Sequence, residues 1–519
     1  MRRRSFLRSV GAVGTVSACA ATSTAAAGRG ADRDGGSLSP SSVSLTGALE
    51  AVVGDDGTTV YVAAHDGFGV VDASDFANPE VVAERRDLLA DRELGPLREI
   101  YDVSVSGDRL LVAGPRSGLY NEELGGFLLY DVSDPANPEQ VAFFETDHGI
   151  HNAFLDGDTA YLTGTGLETE PLVVADVAGD RPEEVARWSV VDENEAWADV
   201  ESYVRSCHDV YVQDGTAYVA YWDAGTWLLD VSDPANPTPD LQLGGRNPAA
   251  VRNVDNKAVI ETYELPGNSH YVAPNEDGSL VAVGREAWDN GETDRTGGPG
   301  GITLWDVADR SSPERLVRLA PPTFPDRSES LNRTSHNFAF RGDRLYTSWY
   351  GGGVKVYDVS SPTEPTLLAA WAKPDEATFW TAQPADGGFV ASSRFNPTKH
   401  EQLSRKEKRK PAESAKLFTF SEPAGENPRP ARTEPAPVRP SETTGTATTA
   451  GGTTTGTEET STTETTATTG TTTDEPTAST DEPTASTAET TGVGTPGFGV
   501  GTALVGGGLA LARLLRERS

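Results

Sequence analysis

Four of the seven histidines stand at one fixed distance before an apolar or aromatic residue. His151, His208 and His336 each precede a tyrosine by ten residues, and His270 takes the equivalent place before Leu280 if one inserted residue is allowed. Neutral imidazole is the commonest protein ligand for a transition metal, and several converging imidazoles form a site for zinc, copper or iron. The spacing therefore predicts that these histidines share one structural position and bind a metal, with coordination positions left for water or substrate.

A repeated sequence unit supplies the strands that would position these histidines. Its clearest copies are apolar runs that lead into Asp/Ser-Pro turns and end at Pro138, Pro237 and Pro365. Looser copies surround Asp72, Asp176 and Asp306. Each copy is preceded by a second apolar run, and an Asp- or Gly-containing turn stands before that run. A further run comes before the turn, and a fourth follows the Pro-rich turn. Each unit therefore reads as four short strands with tight joints.

Units of this kind predict an all-β fold, a seven-bladed β-propeller of four-stranded antiparallel blades. A single four-stranded sheet has two apolar faces that only radial packing against two neighbours can bury. Six units are complete, and three strands of a seventh are predicted at Phe379–Trp380, Phe389–Ala391 and Lys416–Phe420. The segment near Ser42 to Leu45 would supply its outer strand and close the ring. The alternative is six blades with an appendage.

Three apolar runs of the repeat carry a family resemblance. Leu128–Val132, Leu228–Val231 and Val354–Val359, each followed by an Asp/Ser-Pro turn, resemble LVIVD repeats. The resemblance covers roughly residues 44–421 and implies a propeller of secreted and surface proteins. It implies almost nothing about activity, which has to be argued from a site.

Long insertions predict which face of the propeller is functional. Turns between first and second strands, and between third and fourth, are short and share one face. Nearly all insertions fall on the opposite face, where long loops are usually functional: 114–125, 190–206 (helix-like around Glu193 to Tyr203), 244–269, 285–301 and 321–335.

The four histidines begin innermost strands on this long-loop face, at the mouth of the central channel. Tyr101 and Ala51 are predicted to hold the same position in the first two blades. The alternative is that each imidazole only bonds within its own blade and holds its strands together. Further candidate metal ligands lie close by in the sequence: His65, His148, Cys207, Asp209 and Glu286.

Arginines and an aromatic residue on the same face are candidates for ligand binding. Arg116, Arg285 and Arg394 end second strands, where they could clamp an anionic ligand; ordinary surface ion pairs are the alternative. Trp222 could stack on a sugar or peptide, or simply pack between blades. Glu286 completes the candidate ligand-binding set, and no catalytic residue is assigned. Asn332 begins an N-glycosylation sequon.

The N-terminus, residues 1–27, resembles a twin-arginine export signal. Arg3-Arg4-x-Phe6-Leu7 matches the motif, and small residues follow as far as Ala27, where cleavage is predicted. In the alternative, residues up to Cys19 form a lipobox and Cys19 is lipidated. Residues 28–43 are a linker.

The C-terminus is predicted to attach the protein to the cell surface. Residues 422–495 are rich in Thr, Glu and Pro, lack apolar periodicity and predict a disordered, glycosylated stalk. Residues 496–519 resemble the PGF-CTERM sorting signal of archaeal surface proteins. The resemblance implies Pro496, Gly497 and Phe498 as recognition residues, with removal of the segment by an archaeosortase and lipid attachment. The alternative is a plain membrane anchor.

Composition narrows the classes of partner. The 519 residues include 78 acidic and 43 basic side chains and two cysteines, with a formal charge of −35. Two cysteines exclude a disulfide scaffold, and the charge argues against nucleic acid, whose phosphates it would repel. Dispersed acids with few lysines suit a surface that stays soluble in concentrated salt, which predicts a halophilic source.

These features together predict an exported, membrane-anchored surface propeller. Its predicted partners are envelope components or a small-molecule or glycan ligand bound through the long-loop face. The twin-arginine translocase and an archaeosortase would act during maturation. The alternative is a metal-dependent extracellular enzyme, such as an oxidoreductase, that uses the histidines at the channel mouth.

Overall fold

A computed structural model describes most of the region between residues 36 and 434. The described ranges are 36–119, 123–179, 181–252, 267–287, 299–323, 333–404, 406–425 and 428–434. Several predictions fall outside them: the export signal with Arg3 and Arg4, Cys19, the sequon at Asn332, most of the stalk, and the sorting signal with Pro496, Gly497 and Phe498.

Seven four-stranded antiparallel sheets form a β-propeller, which confirms the predicted fold. Strands are numbered in chain order. Blade 1 contains β3 (Ala51–Val53), β4 (Thr59–Ala63), β5 (Gly67–Asp72) and β6 (Glu80–Arg86). Blade 2 contains β7 (Asp102–Ser106), β8 (Arg109–Gly114), β9 (Gly126–Asp131) and β10 (Glu139–Glu145). Blade 3 contains β11 (Gly149–Asp156), β12 (Thr159–Thr165), β13 (Leu172–Asp176) and β14 (Glu183–Trp188).

The other four blades repeat this order from the inner to the outer strand. Blade 4 contains β15 (Asp209–Gln213), β16 (Thr216–Ala220), β17 (Thr226–Asp230) and β18 (Thr238–Leu243). Blade 5 contains β19 (Ser269–Pro274), β20 (Leu280–Arg285), β21 (Ile302–Asp306) and β22 (Glu314–Leu319). Blade 6 contains β23 (Phe338–Arg341), β24 (Arg344–Ser348), β25 (Val354–Asp358) and β26 (Thr366–Trp371). Blade 7 contains β27 (Gln383–Ala385), β28 (Gly388–Ser393), β29 (Lys416–Ser421) and β2 (Ser41–Ser44).

The outer strand of blade 7 comes from the start of the propeller, as predicted. β2 pairs antiparallel with β29, with Ser42 opposite Phe418. The ring is therefore closed by hydrogen bonds between the two ends of the propeller sequence. The inner strand of this blade was predicted at Phe379–Trp380 but lies at Gln383–Ala385; Phe379 makes only isolated bridges, to Tyr350 and Ser393.

The Asp-rich turns explain why each unit turns back sharply before its outer strand. In blade 2, Asp131 accepts a hydrogen bond from the backbone of Ser133 (2.9 Å), and Asp134 accepts one from the side chain of Asn137 (2.8 Å). Such bonds from Asp to the next residues replace a backbone turn. A β-bulge follows in the outer hairpin of blades 1 to 6, where it increases local twist.

The core lies between neighbouring blades rather than inside any one of them. One cluster of buried side chains joins Tyr161 and Val174 of blade 3 to Val210, Val219 and Leu229 of blade 4. Each sheet thus buries its apolar faces against two neighbours, and burial of one such side chain stabilises by about 1.5–3 kcal/mol. The inner strands consequently surround a narrow central channel.

Short extra elements decorate the blades. β1 (Gly36–Ser37) and β30 (Arg429–Pro430) pair with β26, and β31 (Thr433–Glu434) pairs with β22. The first residues of the predicted stalk therefore add strands to blades 6 and 5. The helical turns are Val190–Glu193, Glu195–Asp199, Ser202–Val204, Pro248–Val251, Pro397–Glu401 and Glu407–Arg409. No helix in the described ranges has the length and apolar character to span a membrane.

Candidate metal and ligand site at the channel mouth

One residue in each blade forms a ring at the long-loop end of the channel. Backbone register defines this ring, because several of its members donate the amide N–H to a carbonyl of the second strand. His208 donates to Ala220 at 2.9 Å, His336 to Ser348 at 3.0 Å and Trp380 to Ser392 at 2.9 Å. In blade 1, Leu49 makes the equivalent bond to Ala63, so Leu49 and not the predicted Ala51 holds the position. We call the ring the imidazole tier: Leu49, Tyr101, His151, His208, His270, His336 and Trp380.

The four predicted histidines stand side by side in this tier. The ring centroids of His151 and His208 lie 4.3 Å apart, those of His208 and His270 4.2 Å, and those of His270 and His336 4.6 Å. Trp380 continues the row 4.0 Å beyond His336. The four imidazoles thus line one small cavity of about 10 Å³, roughly the space of a single water molecule, which is partly open to solvent.

Hydrogen bonds at Nδ1 orient three of the imidazoles. His208 Nδ1 lies 3.0 Å from the carbonyl of His270, His336 Nδ1 lies 2.6 Å from that of Trp380, and His151 Nδ1 lies 3.2 Å from that of Arg116. All three contacts join neighbouring blades, unlike the within-blade bonds of the structural alternative. Metal-binding histidines characteristically donate the other ring N–H to a carbonyl. A donating Nδ1–H leaves Nε2 as the free ligand atom.

Burial keeps these histidines in the neutral form that binds metal. Desolvation, with a smaller contribution from the charge of Arg116, lowers the pKa of His151 to about 3. Burial and then the neighbouring imidazoles lower the pKa of His208 and His270. Burial likewise lowers the pKa of His336. A charged form would have to be desolvated beside like charges, which is unfavourable.

Glu286 brings a carboxylate to the same cluster. One ligand atom each from His270, His336 and Glu286 lie within 4.8 Å of one another, and all three residues are buried. Glu286 Oε2 lies 3.5 Å from His270 Nε2, while its Oε1 accepts a 2.6 Å hydrogen bond from the Tyr350 hydroxyl. Burial raises the pKa of the Glu286 carboxyl to about 7. Two imidazoles and one carboxylate are a donor set used by both zinc and non-haem iron.

A second ring of residues follows the ends of the second strands, at the rim of the mouth. In blade 5, Gly284 pairs with Tyr271 of the inner strand; in blade 4, Ala220 pairs with Asp209 at the equivalent position. Glu286 and Trp222 each stand two residues after that pair, so they occupy the same place in their blades. We call this ring the rim: His65, Pro115, Thr165, Trp222, Glu286, Tyr350 and Arg394.

The register also separates Arg285 from Glu286. Arg285 takes the place of the buried Tyr221 and Trp349 of other blades, and its Nε donates to the carbonyl of Gly267 (2.6 Å). Adjacent residues of an extended chain point in opposite directions, which explains why only one of the two reaches the mouth.

The other predicted ligand-binding residues do lie at the mouth. The Trp222 ring packs 4.9 Å from that of His208 and 5.9 Å from that of His270. The guanidinium of Arg116 lies 4.5 Å from the ring centroid of Tyr101. The guanidinium of Arg394 lies 4.9 Å from the ring centroid of Trp380.

A third ring lies one residue further along each inner strand. We call it the carboxyl tier: Glu50, Asp102, Asn152, Asp209, Tyr271, Asn337 and Thr381. Asn152 donates to Asp209 (2.9 Å), and Asn337 donates to Glu50 (2.6 Å). Burial raises the pKa of Asp102 to about 7 and raises that of Glu50 and Asp209. Of these residues, only Asp209 was considered from the sequence, although the residue after each ring position could have been compared between blades.

The remaining candidate ligands are not in the imidazole tier. His65 lies at the rim, 5.6 Å from the ring of Tyr101. His148 is buried with its Nδ1 2.9 Å from the carbonyl of Gly149. Cys207 is packed in the core between blades 3 and 4, where burial raises its pKa, so its thiol is protonated. The sequence did not single out Tyr350 and Trp380 as site residues.

The LVIVD resemblance is supported over part of the chain. A family model described as LVIVD repeat matches residues 204–240, which include the inner strands of blade 4 and His208. No curated protein matches the chain. Among solved structures, the chain is similar to the Cps50 (Swd1) β-propeller domain of Myceliophteria thermophila, with 11% identity and a TM-score of 0.48. That match covers 74% of this chain and 99% of the other.

Proposed function

We propose that this protein is an exported, surface-anchored propeller that binds a transition metal and a ligand at the channel mouth on its long-loop face. The observation that carries the metal is the row of four imidazoles, of which His208, His270 and His336 are buried. Three of the four have Nδ1 at a carbonyl of a neighbouring blade. Neutral imidazoles with free Nε2 atoms and an adjacent carboxylate suit zinc, copper or iron.

Metal analysis of protein purified without an affinity tag tests the site. We expect close to one equivalent of zinc, copper or iron in the wild type. The double variant His208→Ala plus His270→Ala should lose it, because both remove ring nitrogens from the centre of the row. His400→Ala is the matched control, since His400 stacks on Phe395 outside the tier. Metal content that is substoichiometric and unchanged by the double variant would remove the metal from the proposal.

The surface location is supported by the two ends of the chain. Arg3-Arg4 matches a twin-arginine signal, and Pro496-Gly497-Phe498 followed by an apolar run and basic residues matches a sorting signal. Mass spectrometry of the mature protein tests both. We expect an N-terminus after Ala27 and a C-terminus shortened near Pro496. An intact Arg518-Ser519 end would show that the C-terminal segment is not removed and acts as a plain membrane anchor. A lipid on Cys19 would show that the N-terminus is processed at the lipobox and not after Ala27.

A second candidate function is an extracellular metal-dependent oxidoreductase. The specific observation is the group of His270, His336 and Glu286, because two imidazoles and one carboxylate leave open positions on a redox-active iron. Loading with iron or copper, followed by ascorbate and oxygen, tests this candidate. Reversible changes in the metal's electron paramagnetic resonance signal with oxygen consumption would support it. Native protein that contains only zinc would exclude it.

A further inference from the structure

Two arginines are stacked on aromatic residues of the imidazole tier. The guanidinium of Arg116 lies 4.5 Å from the centroid of Tyr101, and that of Arg394 lies 4.9 Å from that of Trp380. The two rings are themselves in contact, edge to face, at 5.8 Å. Stacking fixes the plane of a guanidinium and leaves its N–H edge available for a planar partner.

These arginines are poorly neutralised in a protein of strongly negative charge. Several other described arginines pair closely with a carboxylate, such as Arg310 with Asp240 at 2.7 Å and Arg86 with Asp66 at 2.6 Å. Arg116 has only Glu99, at 3.7 Å, and its Nε makes no hydrogen bond. Among the residues that the structure describes, no carboxylate lies within 4 Å of Arg394. With 78 acids in the chain, two such cations at one mouth indicate a site for an external anion.

Both arginines act on the same small region. The charges of Arg394 and Arg116 lower the pKa of Glu286, although burial dominates that group, and both also lower the pKa of His65. Both charges therefore act on two members of the rim, Glu286 and His65. Trp380 connects the regions, since its ring lies 4.0 Å from that of His336.

We propose that Arg116 and Arg394 bind the carboxylate of a small organic acid at the channel mouth, beside the imidazole tier. A planar carboxylate matches the N–H edges of two oriented guanidiniums better than a tetrahedral anion does. The rings of Tyr101 and Trp380 would contact the apolar part of the acid. This inference names the ligand class of the proposed binding function and rests on it.

Titration calorimetry with metal-free protein tests the arginines independently of the metal. Benzoate and acetate are the probes, with sulfate and phosphate as tetrahedral anions, at constant chloride. We expect benzoate to bind more tightly than acetate or the tetrahedral anions. Arg116→Gln and Arg394→Gln should each weaken benzoate binding by roughly tenfold or more, because each removes a charge-assisted hydrogen-bond donor.

Arg315→Gln is the matched control. Arg315 also stacks on a tryptophan, Trp305, at 5.9 Å, but it lies on the outer strand of blade 5. The Arg315→Gln variant should bind benzoate with the same affinity as the wild type. Equal loss in all three variants, no binding of either carboxylate, or tighter binding of sulfate or phosphate would each overturn the inference. Metal content of the same variants, measured before the metal is removed, shows separately whether the imidazole tier binds a metal.

Discussion

At the scale of the residue, the hydroxyl of Tyr350 determines how Glu286 is presented to the imidazoles. It donates to one carboxylate oxygen at 2.6 Å, and the other oxygen lies 3.5 Å from His270. Partners of this kind orient a ligand, and their removal typically costs about 10–100-fold in metal affinity. A side chain that never touches the ion would thus control the site.

Tyr350→Phe should therefore weaken metal binding by about 10–100-fold without unfolding the protein. Competition with a chelator of known affinity measures the change. Tyr346→Phe is the control, because the Tyr346 hydroxyl donates to Glu422 at 3.0 Å, away from the tier. Metal affinity that is unchanged in Tyr350→Phe would show that Glu286 does not contribute to the site.

The shared position of the four histidines at the mouth could be predicted because it repeats between blades. His151, His208 and His336 share a distance from the second strand, and His270 fits with one inserted residue, so their convergence was predictable from spacing. The count failed in blade 1, where the tier residue is Leu49, because that blade pairs Ala51 with Val62, a register offset from the others. Arg285 and Glu286 could not be separated either, since their directions depend on strand pairing.

At the scale of the element, the inner strands carry carboxyl groups that make stability depend on pH. Burial raises the pKa of Asp102 to about 7, from an ordinary value of 3.8. Its carboxylate accepts a hydrogen bond from Ala153 of the next blade at 2.7 Å. Between about pH 4 and 7 the folded protein keeps a proton that the unfolded chain has lost, so the free energy of unfolding falls as pH rises through this window.

Asp102→Asn should remove this part of the pH dependence. Relative to the variant, the wild type should lose about 1.4 kcal/mol per pH unit within the window and nothing further above it. Urea unfolding at pH 5, 6, 7 and 8 and constant salt measures the difference. Asp55→Asn, at an exposed turn, is the control and should follow the wild type. Parallel curves for Asp102→Asn and the wild type would contradict the assignment.

The strand β2 makes the ring continuous, and its contribution was predictable because six blades were complete and the seventh lacked one run. Val43 and Leu45 pack against a cluster that includes Leu417 and Val390. Loss of β2 by removal of residues 1–45 should reduce the free energy of unfolding by about 2–4 kcal/mol, the contribution expected from buried Leu45 and half-buried Val43.

Thermal and urea unfolding of this truncation, compared with removal of residues 1–39, which lacks β1 but keeps β2, measures the effect of β2. A synthetic peptide of residues 36–46 should restore stability in a concentration-dependent way, because it binds only the folded ring. Equal stability of the two truncations would show that blade 7 does not need its fourth strand.

At the scale of the whole molecule, the negative charge of −35 should make stability depend on salt. Repulsion between dispersed carboxylates opposes the compact state, and salt screens it over a Debye length of about 10 Å at 0.1 M and 3 Å at 1 M. We expect the unfolding temperature to rise steeply up to about 1 M KCl and to continue upward in a protein adapted to concentrated salt. Scanning calorimetry from 0.1 to 4 M KCl measures this, and the same series in choline chloride separates screening from potassium binding. A midpoint that stays constant or falls with KCl would contradict both the repulsion and the predicted halophilic source.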